Sequence, residues 1–108
     1  MKIFTLDKFL KGWFIGNFEP SVMKTNDFEV AVKFYKEGDK EKAHFHKVAQ
    51  EYTIITEGTF EINGEMYTKG DIIHFEPHDV SHFQCIEDGS TTVVKIPSVV
   101  NDKYEVEE

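Results

Sequence analysis

GDKEKAHFHKVAQEYTIITEG, residues 38–58, is the stretch on which the reading of this chain turns. His44 and His46 stand two apart, so on an extended strand both imidazoles project from one face. Glu51 follows a short polar break and opens the run EYTIIT, whose alternation places Glu51, Thr53 and Ile55 on a common face. His82 begins a later run with Phe83, Gln84, Cys85 and Ile86. Three imidazoles and one carboxylate brought to a point form a site for a divalent transition metal.

The remainder of the chain reads as strands. Phe28, Val30, Val32 and Phe34 alternate with Glu29, Ala31, Lys33 and Tyr35, the period-2 pattern of a strand with two different faces. Thr59 to Ile62 and Glu65 to Thr68 flank Asn63-Gly64, the pair that a two-residue type I′ hairpin prefers. Asp71 to Phe75 is a further run, closed by Glu76-Pro77. Val80 to Ile86 and Thr91 to Ile96 follow, with Glu87-Asp88-Gly89-Ser90 between them as a turn signal. Only Leu6 to Lys11 suggests a brief helical turn. Short strands at this spacing predict an all-β sandwich or barrel. A chain of 108 residues reads as one domain. Within it we expect N-terminal strands over 1–27, a barrel core over 28–97 and a peripheral acidic tail over 98–108, its last few residues disordered.

Composition narrows the partners. The net charge of −8 argues against nucleic acid and anionic membranes. No helix-turn-helix pattern is present, and no apolar run approaches the length of a membrane span. One cysteine, Cys85, rules out a disulfide within the chain and fits a reducing, cytoplasmic setting, and the N-terminus carries no signal-peptide pattern. All twelve basic residues are lysines. Without arginine, the usual bidentate clamp for phosphate and carboxylate is missing, which disfavours pyrophosphates and dicarboxylates unless lysines or backbone amides hold them.

These residues also carry a resemblance. Gly38, five residues, His44, one, His46, four, Glu51, six, Gly58 is similar at every fixed position to the first signature motif of the cupin superfamily. The second motif is partly present: Gly70, Pro77 and His82 match, Asp79 stands at the second glycine, and Ile86 stands where asparagine is expected. One extra residue separates Gly70 from Pro77. Asp79 is a tolerable replacement because aspartate enters the left-handed region more readily than most residues. Gly58 and Gly70 read as strand ends where a positive φ lets the chain reverse.

The resemblance implies a double-stranded β-helix, the small cupin jelly-roll barrel. It also implies one divalent ion (iron, manganese, nickel, cobalt, copper or zinc) held by His44, His46, Glu51 and His82. Open metal positions would suit dioxygen activation or chelation of a small oxygenated substrate, so a dioxygenase-like metalloenzyme is the leading expectation. A sugar isomerase or epimerase is an alternative, because His44-Phe45-His46-Lys47 resembles the HxHK segment of cupin ketoisomerases. In those enzymes glutamine replaces Glu51 and arginines surround the site. A metal- and ligand-binding module without turnover is the other alternative. The family and the aromatic N-terminal segment around Trp13, Phe14 and Phe18 also imply a homodimer. His78 is expected in an exposed loop, His74 partly buried, and Cys85 in the core as a small hydrophobe.

Overall fold

Among the described residues, alternation along the chain becomes nine strands. The computed structural model describes residues 1–107. Two 3-10 turns, Leu6–Lys8 and Leu10–Gly12, stand where the brief helical turn was expected. The strands are β1 (Trp13–Gly16), β2 (Met23–Lys24), β3 (Glu29–Tyr35), β4 (Lys40–Phe45), β5 (Gln50–Ile62), β6 (Glu65–Thr68), β7 (Ile72–Phe75), β8 (Ser81–Ile96) and β9 (Tyr104–Glu105). β8 is the axis of the fold, pairing antiparallel with β3, β4 and β5. β5 in turn pairs with β6 and β7. The hairpin between β5 and β6 closes at Ile62 opposite Glu65. Asn63 (φ 50°) and Gly64 (φ 83°) supply the two positive φ angles of a type I′ turn.

Two turn signals are not turns. β8 runs unbroken through Glu87-Asp88-Gly89-Ser90, and β5 runs through Gly58. The two strands cross here with shifted register between Ile55 and Phe60. A Cβ on Gly89 would collide with the Glu57 carbonyl oxygen, and one on Gly58 (φ 82°) would lie 2.5 Å from that of Asp88. The glycines therefore serve close backbone approach at a bulge, which bends a long strand pair without ending it.

The tail is also less peripheral than its composition suggests. Ser98 and Asp102 are buried, and β9 pairs with β4. The Ser98 hydroxyl donates to Glu29 (2.8 Å), and Asp102 accepts from the backbone N–H groups of Lys47, Val48 and Ala49 at 2.9–3.2 Å. Buried polar groups persist only when satisfied in this way. Expected disorder at the acidic end does not extend to Tyr104 and Glu105, which form β9; Glu108 lies outside the described residues.

The apolar core comprises Ile55, Phe60, Ile62, Phe75, Phe83 and Cys85. Phe60 is fully buried between Tyr35 and Phe83, with ring centroids 5.4 and 5.1 Å away. Truncating such a ring costs about 3–5 kcal/mol. Cys85 sits here, its thiol 3.0 Å from the Glu87 carbonyl and its pKa raised by burial, as expected of a packing residue. β3 inverts the simplest reading of its alternation. Glu29 and Ala31 are buried, whereas Phe34 on the opposite face is 73% exposed. One wall of the barrel interior is therefore polar.

Candidate metal centre

β4 and the start of β5 build the site. His44 lies near the end of β4, opposite Ser81 of β8. His46 follows one residue beyond the strand, and Glu51 is the second residue of β5, paired with Phe75 of β7 and Lys95 of β8. Extended backbone sets both imidazoles on the inner face, and the loop 47–49 returns the chain so that Glu51 meets them. Asp102 clamps that loop through its three N–H groups. One potential ligand atom from each of His44, His46 and Glu51 lies within 4.8 Å of the others.

The side chains are held in the states a metal requires. The Nδ1 of His44 lies 2.9 Å from the Lys42 carbonyl. A carbonyl only accepts, so Nδ1 carries a proton and Nε2 is the nitrogen directed to the cluster. The Thr53 hydroxyl donates to Glu51 Oε2 at 3.0 Å, orienting the carboxylate. His46 is 5% exposed, and its Nε2 is buried without a hydrogen-bond partner. Burial, assisted by the positive charge of Lys95, pushes the His46 pKa down to about 4, so the ring is neutral at pH 7. An orphaned buried nitrogen costs free energy unless something binds it. Two imidazoles and a carboxylate so arranged have the donor set and spacing of a metal site.

His82 does not join this group. It is exposed, while its neighbours Ser81 and Phe83 are buried on the inner face of β8. Its backbone N–H donates to Asn63 Oδ1 at 2.8 Å. The reason lies in the count from Gly70. Taken with no extra residue, the second motif falls on Glu76, His78, Ser81 and Cys85. The backbone follows that count: His78 carries the positive φ (74°), and Asp79 does not. Ser81 thus occupies the inward position where the motif has histidine. The unbroken spacing from Gly70 was the available signal, outweighed by the visible match of Pro77 and His82.

Other histidines stay outside. His74 is exposed rather than partly buried, stacked on Tyr52 (4.4 Å, 15°) with Nε2 2.7 Å from Gln50 Oε1. His78 is exposed beside Phe45 and donates its N–H to the His46 carbonyl at 2.7 Å. Lys47 is exposed, its Nζ 4.1 Å from the Tyr104 ring centroid.

A cavity of about 190 Å³ opens beside His44 and Glu51. Phe75, Phe83 and Val93 form its apolar wall, and the hydroxyl-bearing Tyr35, Ser81 and Thr91 complete its lining. Four lysines border it, Lys11, Lys33, Lys95 and Lys103. The alternation of β3 carried a hint of Lys33, which shares a face with Ala31 and Tyr35. Nothing local marked the others.

No protein-family model matches the chain, and no curated protein does. Solved structures do. The chain is similar to an uncharacterised conserved protein with a double-stranded β-helix domain from Klebsiella pneumoniae, with 24% identity, 99% of this chain and 93% of that one covered, and TM-score 0.71. It is similar to an RmlC-like cupin from Shewanella frigidimarina, with 20% identity, 72% of each chain covered and TM-score 0.64. A DMSP lyase from Ruegeria pomeroyi matches at 16% identity and TM-score 0.72, over 87% of this chain and 49% of that one. At such identities the likeness is one of fold, and function has to be argued from the site. In fold, the chain is a double-stranded β-helix, similar to that of solved cupins, with a His44–His46–Glu51 cluster in its barrel.

Proposed function

We propose that His44, His46 and Glu51 hold one divalent transition metal, and that the protein is a metalloenzyme acting on a small oxygen-bearing molecule by dioxygenase-like chemistry. The observation that carries this reading is the buried, partnerless Nε2 of His46 beside two further donors. Two histidines and one carboxylate form the donor set associated with non-haem iron(II) oxygenases. Bound there, the ion would supply Lewis-acid polarisation and, as iron, dioxygen activation. The chain's own groups do the rest. Thr53 and the Lys42 carbonyl orient two of the ligands. Phe75, Phe83 and Val93 exclude water from one wall, and the Ser81 hydroxyl stands at the position opposite His44.

The isomerase alternative draws less support. Lys47, the lysine of its HxHK segment, packs on Tyr104 outside the cavity. The homodimer belongs to the same proposal, supported by the exposed Ile3, Phe4 and Leu10 of the N-terminal segment. Sedimentation equilibrium tests it. A reducing, cytoplasmic setting also belongs to the proposal, supported by the unpaired Cys85; no helix among the described residues is long and apolar enough to cross a membrane.

Elemental analysis of protein purified without chelator should give close to one ion per chain. Oxygen uptake by the iron-loaded protein across small oxo acids, thiols and diketones then tests the reaction class. Metal binding with neither oxygen uptake nor proton exchange on sugars would replace the enzyme reading with that of a binding module.

A further inference from the structure

A chain of net charge −8 places four of its twelve lysines around one small cavity. Only two carboxylates, Glu41 and Glu51, line the same space. Lys33 and Lys95 are the most enclosed of the four, with side chains 20% and 14% exposed. Both ammonium groups lie over the ring of Trp13, 5.2 and 4.9 Å from its centroid. Their acidic neighbours are at some distance: Glu41 is 3.7 Å from Lys33, and Glu29 is 3.5 Å from Lys95. A close charge-assisted hydrogen bond spans roughly 2.7–2.9 Å. The ammonium groups are thus loosely paired and retain donors for a third group. Two like charges held beside one ring in a low-dielectric pocket focus an attractive field for anions.

We propose that this cavity binds a small carboxylate, gripped by the Lys33 and Lys95 ammonium groups that lie over Trp13, beside the His44–Glu51 rim. The volume of about 190 Å³ falls below the range of drug-sized ligand pockets, which selects a molecule of a few carbons. Lysines meet carboxylate and phosphate alike as point charges, and the small volume is what favours a carboxylate over the bulkier headgroup of a phosphate ester. This names the substrate class of the site proposed above and rests on that reading for its catalytic meaning. The anion site itself stands on the lysines.

Trp13 is the chain's one tryptophan, so its fluorescence reports on the site directly. The full-length protein, stripped with chelator and again after manganese loading, is titrated with pyruvate, with neutral hydroxyacetone and with inorganic phosphate. Pyruvate should change the emission saturably and bind more tightly than either comparator. Lys95→Gln and Lys33→Gln should each weaken pyruvate by about tenfold, the loss of one charged hydrogen bond. Lys103→Gln, at an exposed position, should weaken it about twofold, and guards against misfolding of the more enclosed variants. Lys47→Gln, outside the cavity, should leave it unchanged. Equal or tighter binding of hydroxyacetone or phosphate, or wild-type affinity in both Lys33→Gln and Lys95→Gln, overturns the proposal. Manganese uptake by the same variants is a separate readout. Lost metal with an intact pyruvate titration removes the proposed chemistry and upholds the anion site; lost titration with intact metal does the reverse.

Discussion

Two corners of the barrel face the same cavity, and they differ in what they bring to it. At the β4–β5 corner His44, His46 and Glu51 all turn inward, and the intervening loop is tied down by Asp102. At the β7–β8 corner the backbone follows the count from Gly70, with a positive φ at His78 and an inward Ser81, yet His82 points out. The difference teaches that a strand reads its side chains by parity. One residue of slip between motif and strand carries a side chain to the opposite face. A match of residue types is therefore weaker evidence for a ligand than the count of residues to the nearest fixed turn.

The largest expected effect tests the first corner. His46→Ala or His44→Ala should lower metal affinity by more than roughly a hundredfold, beyond what loss of an outer-shell partner causes. Elemental analysis after gel filtration checks this, and full metal content in His46→Ala would remove the site.

Asp102→Ala should destabilise the fold by about 3 kcal/mol, because three backbone N–H groups lose a charged acceptor in a buried setting. The urea midpoint measures it. Burial alone would raise the Asp102 pKa, but the N–H groups of Ala49, Lys47 and Val48 hold it below its ordinary 3.8. Its folded pKa is thus depressed. The stabilisation is complete above the unfolded value and is lost as pH falls below about 4 through the folded one. Asp102→Asn should flatten that part of the pH profile; an unchanged acid limb would place the acid sensitivity elsewhere.

A smaller effect sharpens the comparison by repairing the second corner. Ser81→His places an imidazole at the inward position opposite His44 and should tighten metal binding at least roughly tenfold. Competition with a coloured chelator reads this out. The smallest effect is the companion: His82→Ala should leave metal content and affinity within about twofold of wild type, in line with other exposed substitutions. Loss of metal in His82→Ala would restore the four-residue ligand set that motif matching suggests.

Much of the site was legible because it is local. His44, His46 and Glu51 fall within eight residues, and strand alternation alone aligns them. The hairpin at Asn63-Gly64 was legible for the same reason, since a two-residue turn is set by its own φ requirements. The segment Glu87–Ser90 carried equally strong turn chemistry and was misread. There the glycine answers a neighbouring strand, the carbonyl of Glu57, and no local pattern reports that contact.

Alternation and spacing by themselves determined an all-β sandwich or barrel and a metal-type cluster at His44, His46 and Glu51. These follow from periodicity, which the backbone enforces within a few residues. Only the tertiary structure decided that His82 faces away, that the tail carrying Asp102 secures the loop after His46, and that Lys33, Lys95 and Trp13 share one wall. Each of those depends on register between strands distant in sequence. Register is set by pairing and close backbone approach across the barrel, where residues 13, 33, 95 and 102 first become neighbours.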